Sequence, residues 1–195
     1  MRFKSIGIMC GSSEACSDKL KHFAFTLGEH LANNKIRMIY GGGAKGLMNQ
    51  AANGALSKNG EVYGYIPEFM TQVEWQHKGL TQLIKTKDMD ERKTLMMTKS
   101  DATIFLPGGS GTMEEFFQWL VCKRLGQYTG PLILFNIDDY YDPLVKLLDN
   151  MVKEKFHSQK HAQMYHFCET LEQMDEVLRT YEDWPEDAIK FAPVK

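Results

Sequence analysis

Short apolar segments rich in isoleucine, valine and aromatic residues alternate along this chain with longer segments of helical spacing. This alternation is typical of a parallel β-sheet with crossover helices, because parallel neighbours need a long connection. We predict strands at Ser5–Cys10, Arg37–Tyr40, Glu61–Ile66, Leu80–Thr86, Ala102–Leu106 and Pro131–Asn136. We predict helices at Asp18–Asn33, Leu47–Lys58, Met89–Lys99, Met113–Leu125, Tyr140–Lys155 and Leu171–Tyr181. The sequence therefore predicts an α/β fold.

The length of the chain favours a single domain. Its 195 residues suffice for one sizeable core but are few for two, since domains usually have about 100 to 200 residues. No internal repeat and no linker rich in Ser, Pro or Gly divides the sequence. We predict one domain over residues 1–182, followed by a loosely held tail over residues 183–195 that contains Pro185 and Pro193.

The composition argues against several kinds of partner. The 23 basic and 25 acidic residues give a formal net charge of -2, so no basic excess indicates binding to a long nucleic acid. No apolar run approaches a membrane span, and the first residues do not resemble a secretory signal. The 4 cysteines form no CxxC pair. We therefore expect a cytoplasmic protein that binds neither nucleic acid nor membranes and whose anionic ligand is small.

Two glycine-rich segments follow predicted strands and precede predicted helices. Gly41–Gly46 has the sequence GGGAKG, and Pro107–Thr112 has the sequence PGGSGT. Glycines there allow the backbone to approach a phosphate, and a helix N-terminus supplies N–H donors. We predict that the two loops hold one phosphate-bearing ligand from two sides, at the carboxyl edge of the sheet. Tight turns without a ligand are the alternative.

Glu115, just after the second glycine-rich segment, allows a structural and a functional interpretation. Thr112–Glu115 has the spacing of a capping box, in which the Glu115 carboxylate would only return a hydrogen bond to the start of the helix. A carboxylate at this position also suits catalysis beside a bound phosphate. The sequence permits both roles.

Arg92 and Lys93 follow Asp88, which we predict to be the N-cap of a helix. Cations in a first helical turn are opposed by the helix dipole, so their presence there indicates a role besides solvation. Arg92 shares a helical face with Met89 and Met96, and we expect its side chain to point toward the protein. A surface charge cluster is the alternative.

The remaining candidates for chemistry receive structural interpretations. His157, His161 and His166 have no accompanying carboxylate or cysteine pattern, so we predict a solvent-exposed stretch and no metal. The 12 methionines are interpreted as adaptable core residues.

Five motifs follow one another in a distinctive order: CGSS after the first strand, YGGGxxGLM at Tyr40–Met48, IPEF at Ile66–Phe69, ERK at Glu91–Lys93 and PGGxGTxxE at Pro107–Glu115. Together they closely resemble the LOG family, over nearly the whole chain up to the last helix. The resemblance implies a Rossmann-like, doubly wound sheet and a homodimer with no cofactor. It also implies release of a free base and ribose 5-phosphate from purine nucleoside monophosphates; the base is a cytokinin in plants and many microbes.

The resemblance further implies roles for individual residues. Arg92 and Glu115 would be the catalytic pair. The substrate would be bound by Glu74, Lys93, Gly108, Gly109, Ser110, Gly111, Thr112, Gly43 and Gly46. Two departures concern the preference for the base: Asp90 stands where many relatives have His, and Val121 where plant members tend to have Thr. The apolar face formed by Phe116, Phe117 and Leu120 fits either a dimer interface or the core.

Three other functions stay open at this point. A non-catalytic carrier of a nucleotide-like cofactor, similar in fold to the molybdenum-cofactor carriers, would need only the glycine loops, whereas the Arg92 and Glu115 pair favours catalysis. A dinucleotide oxidoreductase is indicated only by the GxGxxG spacing in Gly41–Gly46. Some relatives carry a lysine decarboxylase label, which would require pyridoxal phosphate on a lysine, and the sequence singles out no such lysine.

Overall fold

The computed structural model describes residues 2–71 and 76–193, and the strands within them form one parallel sheet. These strands are β1 (Ser5–Met9), β2 (Arg37–Tyr40), β3 (Val62–Pro67), β4 (Gln82–Thr86), β5 (Ala102–Phe105), β6 (Leu132–Phe135) and β7 (Tyr165–Cys168). Their spatial order is β4-β3-β2-β1-β5-β6-β7, and each neighbouring pair is parallel. The chain therefore winds in one direction from β1 to β4 and in the other from β5 to β7.

Helices cover both faces of this sheet. They are α1 (Asp18–Asn33), α2 (Gly46–Ser57), α3 (Glu68–Thr71), α4 (Met89–Lys99), α5 (Ser110–Arg124), α6 (Asp142–Lys153) and α7 (Leu171–Thr180). Short 3₁₀ segments span Ile137–Asp139, His161–Met164 and Ala188–Phe191. Residues of α1, α2 and α7 contribute to one hydrophobic cluster, and residues of α4, α5 and α6 contribute to the other. The predicted Rossmann-like, doubly wound α/β fold is confirmed.

The predicted strands and long helices are all present, with differences that bear on function. Helix α5 begins at Ser110, inside the glycine-rich segment, and not at Met113 as the spacing predicted. Strand β7, at the edge of the sheet, was not predicted. Its sequence, YHFC, lacks the aliphatic run and the flanking turn signals that marked the other strands. Phe116 and Leu120 are buried in the core of the chain itself.

The segment after α7 is held more firmly than the sequence indicated. Trp184 and Ala188 are buried, and the Trp184 amide donates a hydrogen bond to Thr129 O at 3.0 Å. The Arg124 Nε atom donates to Ala192 O at 3.0 Å. The expectation of a loosely held segment is therefore wrong for this stretch, because its aromatic and small side chains complete the core beside α5. The domain boundary at residue 182 stays a prediction.

The predicted exposure of the histidine stretch is wrong for His161. Its side chain is buried, and its Nδ1 atom accepts a hydrogen bond from the Ser158 amide at 3.1 Å. Its ring also packs edge-on against His157, with the centroids 5.5 Å apart. Burial lowers the pKa of His161, and the nearby Arg124 charge lowers it further. These contacts give His161 a structural role in the described chain.

Helices α1 and α2 approach each other closely because glycines line their contact. A Cβ at Gly54 would lie 1.9 Å from Phe25 O, and a Cβ at Gly28 would lie 2.1 Å from Ala51 O. Both of these obstructing atoms belong to the backbone, which cannot rotate aside as a side chain can. The two glycines are therefore required by packing, and their contact fixes α2 relative to the sheet.

We predict that Gly54→Ala destabilises the protein by at least about 2 kcal/mol, because the added methyl group forces the two helices apart. Gly111→Ala is the matched control, since Gly111 is also helical but a Cβ there would meet no atom within 4 Å. We expect this control to change the free energy of unfolding by less than about 1 kcal/mol, in the stabilising direction. Thermal and urea unfolding of both variants measure the difference, and equal midpoints would contradict the packing argument.

Candidate active site

A cleft of about 520 Å³ opens at the carboxyl edge of the sheet. Its walls come from the residues after β1, from the loop after β2 and from the first turns of α4 and α5. Strand order reverses between β1 and β5, and ligands of open α/β sheets bind at such a point. The position of this cleft therefore makes it the candidate active site.

The N-terminus of α5 is open toward this cleft. Gly109 is its N-cap, so the amides of the following Ser110, Gly111 and Thr112 lie in the first turn, where an N–H group has no acceptor within the helix. A Cβ at Gly109 or Gly111 would meet nothing within 4 Å, although both residues line the cleft. Packing therefore does not require these two glycines, and they leave room for a ligand to approach the backbone.

Gly108 has a different reason to be glycine. A Cβ there would lie 2.1 Å from Thr112 Oγ1 and 2.8 Å from the Gly11 amide nitrogen. The Gly11 amide in turn donates to Pro107 O at 3.1 Å. Gly108 is therefore required by the close contact between the β1 loop and the β5 loop.

The N-terminus of α2, which carries the other glycine-rich segment, is occupied by the protein itself. The Gly46 amide donates to Glu14 Oε1 at 3.0 Å, and the Leu47 amide donates to Gly11 O at 3.0 Å. Gly46 has a φ of 56°, and a Cβ there would lie 2.5 Å from the carbonyl carbon of Ser12. Gly43 lines the cleft, whereas Gly46 does not, and the grip of one ligand by both loops stays a prediction.

Arg92 and Glu115 face each other across the cleft. Arg92 comes from α4 and Glu115 from α5, with 3.7 Å between Arg92 Nη2 and Glu115 Oε1, and their side chains are 11% and 10% exposed. The guanidinium lies against the bare backbone of Gly41, where a Cβ would be 2.1 Å from Nη2. Within the described part of the chain, Arg92 Nε has no hydrogen-bond partner. The pair is therefore buried, but the charge of Arg92 is incompletely satisfied.

Burial shapes the electrostatics of this pair. Desolvation raises the pKa of Glu115 above its ordinary value, while the Arg92 charge opposes the rise and the Glu114 charge adds to it. Desolvation lowers the pKa of Arg92, against the attraction of Glu115 and Glu114. The capping-box interpretation of Glu115 is wrong, because Gly109 is the N-cap and Thr112 already lies within the helix. The Glu115 carboxylate is therefore available to the cleft.

Lys93 lies beside the cleft and is held by carboxylates. Its Nζ atom is 2.6 Å from Glu114 Oε1 and 3.5 Å from Asp90 Oδ1. Burial alone would lower the pKa of Lys93, but the hydrogen bond and charge of Glu114, with Asp90, raise it overall. Lys93 is not among the residues that line the cleft, whereas Glu114 is. In this arrangement Lys93 orients Glu114.

The structure brings together many of the residues that the sequence indicated. Of the residues predicted for the site, those that line the cleft are Gly43, Arg92, Gly109, Ser110, Gly111, Thr112 and Glu115. Lys93, Gly108 and Gly46 lie behind its surface, and Glu74 falls outside the described residues. Across residues 2–71 and 76–193, no group of three or more His, Cys, Asp and Glu side chains is arranged to hold a metal ion, and no helix could span a membrane.

An apolar wall of the cleft was not predicted. It consists of Met48, Ile66, Met70 and Met89. The interpretation of the methionines as core residues holds for the buried Met96 and Met97, and Met48 packs against the core while it also lines the cleft. The sequence contained information that could have predicted this wall, because Met48 and Ile66 belong to motifs that adjoin the carboxyl ends of strands. The cleft thus combines this apolar wall with the open N-terminus of α5.

The chain was compared with known proteins. Residues 48–178 match a family model described as possible lysine decarboxylase. A cytokinin riboside 5′-monophosphate phosphoribohydrolase from Rhodococcoides fascians is 42% identical over 154 residues, which are 78% of this chain and 78% of that protein. A probable enzyme of the same name from Arabidopsis thaliana is 37% identical over 155 residues, 80% of this chain and 77% of the relative.

Solved structures share the fold at lower sequence identity. A molybdenum cofactor binding protein from Rippkaea orientalis has a TM-score of 0.70 and 23% identity, covering 92% of this chain and 98% of its own. A molybdenum cofactor carrier from Chlamydomonas reinhardtii has a TM-score of 0.69 and 20% identity, covering 92% and 100%. At this identity the likeness concerns the fold alone.

We predict that Gly109→Ala and Gly111→Ala weaken the binding of AMP, used as a phosphate-bearing probe, by at least about tenfold. The added methyl groups would occupy the space beside the first-turn amides of α5 while meeting no protein atom within 4 Å. We therefore expect the unfolding midpoint of each variant to stay within about 4 °C of the parent.

The binding control is Gly79→Ala, which adds a methyl group outside the cleft, 3.2 Å from the His77 side chain. Titration calorimetry measures the affinities. Unchanged AMP affinity in both cleft variants would contradict the assignment of this site.

Proposed function

The chain belongs to the family of LOG-type phosphoribohydrolases, and from this membership we propose that it hydrolyses the N-glycosidic bond of a purine nucleoside 5′-monophosphate, giving the free base and ribose 5-phosphate. The observation that carries the proposal is the buried Arg92 and Glu115 pair beside the open N-terminus of α5. A glycine cradle alone would serve binding. Cleavage of the N-glycosidic bond places positive charge on the sugar and negative charge on the base. A buried carboxylate and a buried cation in the same cleft can stabilise these two charges.

The two ends of such a substrate differ in chemistry, and so do the walls of the cleft. The phosphate would accept hydrogen bonds from the first-turn amides of α5, with the positive end of the helix dipole adding attraction. The purine would lie against the apolar wall of Met48, Ile66, Met70 and Met89. Methionine adapts readily to a flat ring or to an apolar substituent on it. The ribose would then span the distance between the walls, beside Glu115.

Cleavage of the bond between ribose C1′ and the base develops positive charge on the sugar. The Glu115 carboxylate would stabilise this charge and accept a proton from the attacking water, whose oxygen bonds to C1′. The bonding electron pair leaves with the purine, which takes up a proton as it departs. Binding of the phosphate holds C1′ in place for this attack.

Arg92 would act through its charge. A guanidinium stays protonated in proteins and does not serve as a proton donor. Arg92 instead keeps Glu115 ionised, and its guanidinium charge in the cleft wall favours negative charge developing on the departing base. Both effects are stronger in the transition state than in the substrate complex, so they raise turnover more than affinity.

The family description invites a comparison with pyridoxal phosphate chemistry. Among the described residues that line the cleft, the lysine is Lys45, which is exposed and stands at the start of α2. A lysine that forms a Schiff base is usually activated by desolvation or by a neighbouring cation. An exposed Lys45 does not fit this requirement, and the proposal uses no cofactor.

The proposal also includes a homodimer in the cytoplasm. Because Phe116 and Leu120 are buried within the chain itself, we do not assign them to the interface. Val121 on the same helix is 54% exposed and is available for such a contact. Sedimentation of the purified protein tests the dimer independently of activity.

The direct test is incubation of the purified protein with AMP and, separately, with isopentenyladenosine monophosphate. Chromatography follows the free base and ribose 5-phosphate. We expect both products in equal amounts from at least one substrate, and the ratio of the two rates identifies the preferred base. A nucleotide that binds but is recovered unchanged would instead favour a carrier function.

We predict that Arg92→Ala and Glu115→Gln each lower kcat by about 100-fold or more, with smaller changes in KM, since both groups act mainly on the transition state. Arg179→Ala is the control for loss of an arginine, because Arg179 lies on α7 in an exposed ion pair with Glu176. Steady-state kinetics measure both parameters. Turnover near that of the parent in either cleft variant would exclude its residue from the reaction.

We also predict the pH dependence of kcat/KM. Glu115 acts as the anion, and burial raises its pKa, so activity should fall on acidification at a pH above the ordinary value of 4.5. Because the Arg92 charge opposes this rise, the residual activity of Arg92→Ala should fall at a higher pH than that of the parent, and Arg92→Lys should restore the position. If kcat/KM fell at the same acidic pH in all three proteins, the charge of Arg92 would not control the pKa of Glu115.

A further inference from the structure

Tyr140 contacts the Pro107–Thr112 loop beside the cleft but does not line the cleft itself. It follows β6 and the 3₁₀ turn, and its hydroxyl donates a hydrogen bond to Gly108 O. Together with Gly108 and Gly109 it lines a second cavity of about 340 Å³. Tyr140 is 46% exposed, so its position does not result from burial in the core.

The backbone before Tyr140 adopts a specific and uncommon conformation. Asp138 and Asp139 have φ values of 52° and 58°, in the left-handed region that residues other than glycine rarely adopt. Asp138 forms an ion pair with Lys19 on α1. On the far side of the turn, the Asn136 side chain accepts a hydrogen bond from the Tyr141 amide at 2.6 Å. The turn that presents Tyr140 is therefore fixed from two sides.

The hydrogen bond to Gly108 O also constrains the next amide. The peptide bonds of the described residues are all trans, so the carbonyl of Gly108 and the N–H of Gly109 point in opposite directions. With the carbonyl held toward Tyr140, the Gly109 N–H group points away from it. Glycines on both sides of this peptide would otherwise let it rotate, because neither has a side chain to restrict it.

We propose that Tyr140 is a positioning residue for the substrate phosphate, which orients the Gly108–Gly109 peptide so that its N–H group faces the ligand at the start of α5. Tyr140 itself does not touch the substrate. This inference rests on the proposed function, because it assumes that a nucleoside monophosphate places its phosphate there. It accounts for a tyrosine on an exposed, strained turn whose hydroxyl contacts the loop.

Tyr141 provides a matched control within the same turn. Its hydroxyl donates to Leu106 O at 2.7 Å, which also ties the turn to the strand that precedes the glycine loop. Tyr141 is buried, however, and its acceptor carbonyl precedes Pro107, outside the glycine-flanked peptide. Removal of the Tyr141 hydroxyl eliminates one hydrogen bond to a backbone carbonyl, as removal of the Tyr140 hydroxyl does. It leaves the Gly108–Gly109 peptide constrained.

The test compares Tyr140→Phe and Tyr141→Phe, with titration calorimetry of AMP, ribose 5-phosphate and adenosine. For Tyr140→Phe we expect the affinities for AMP and ribose 5-phosphate to fall about tenfold, as for one hydrogen bond to a charged group, while the affinity for adenosine changes less than about twofold. For Tyr141→Phe we expect a lower unfolding midpoint and an unchanged ratio of AMP to adenosine affinity. Tyr140→Leu should behave like Tyr140→Phe, because the hydroxyl is the group that matters.

Three results would overturn the inference: an unchanged ratio of AMP to adenosine affinity in Tyr140→Phe, an equal loss for all three ligands, or the same phosphate-specific loss in Tyr141→Phe. The binding measurements with ribose 5-phosphate and adenosine do not depend on turnover, because neither is a substrate of the proposed reaction. If the parent binds AMP but does not hydrolyse it, the proposed function fails while the role of Tyr140 is still decided by the affinity ratio.

Discussion

The close approach of Gly11 to Gly108 is the contact on which the candidate site depends. The Gly11 amide donates to Pro107 O at 3.1 Å, and Gly11 O accepts from the Leu47 amide at 3.0 Å, so one residue joins the loops after β1, β2 and β5. A Cβ on either glycine would come within 3.2 Å or less of the other residue. The sheet brings these loops to one edge. The contact between Gly11 and Gly108 then sets the distance between the loops after β1 and β5.

The Arg92 and Glu115 pair is a buried ion pair, unlike the exposed pairs that Lys19 forms with Asp138 and Arg179 forms with Glu176. Removal of two charges from water is unfavourable unless they are well paired and hydrogen-bonded. Here the two atoms are 3.7 Å apart, and Arg92 Nε lacks a partner within the described residues. An arrangement of this kind does not maximise stability. It matches a site whose remaining electrostatic partner is a bound ligand.

The fold and much of the site were accessible from sequence, because both depend on local patterns. Apolar periodicity located the strands, and glycines after strands marked the loops. The start of α5 was not accessible, because glycines obscure whether the helix begins at Ser110 or at Met113, and the capping interpretation of Glu115 depended on that boundary. The burial of His161 and Trp184 depends on contacts with Ser158 and Thr129 in short irregular segments, for which the sequence has no periodic signal. The ion pair of Lys93 with Glu114 was not accessible, because it depends on the relative positions of two helices.

The two glycine-rich segments illustrate why a motif alone does not identify an anion site. Both follow a strand and start a helix, but Glu14 and Gly11 accept the first amide hydrogens of α2, whereas no described group covers Gly109 and Gly111 at the start of α5. The carboxylate of Glu14 also brings negative charge to the α2 end, where it would repel a second phosphate. A cleft with one open helix N-terminus suits a single phosphate. This asymmetry favours a nucleoside monophosphate over the dinucleotide that the GxGxxG spacing of Gly41–Gly46 suggested, because the pyrophosphate of a dinucleotide needs the amides that α2 no longer offers.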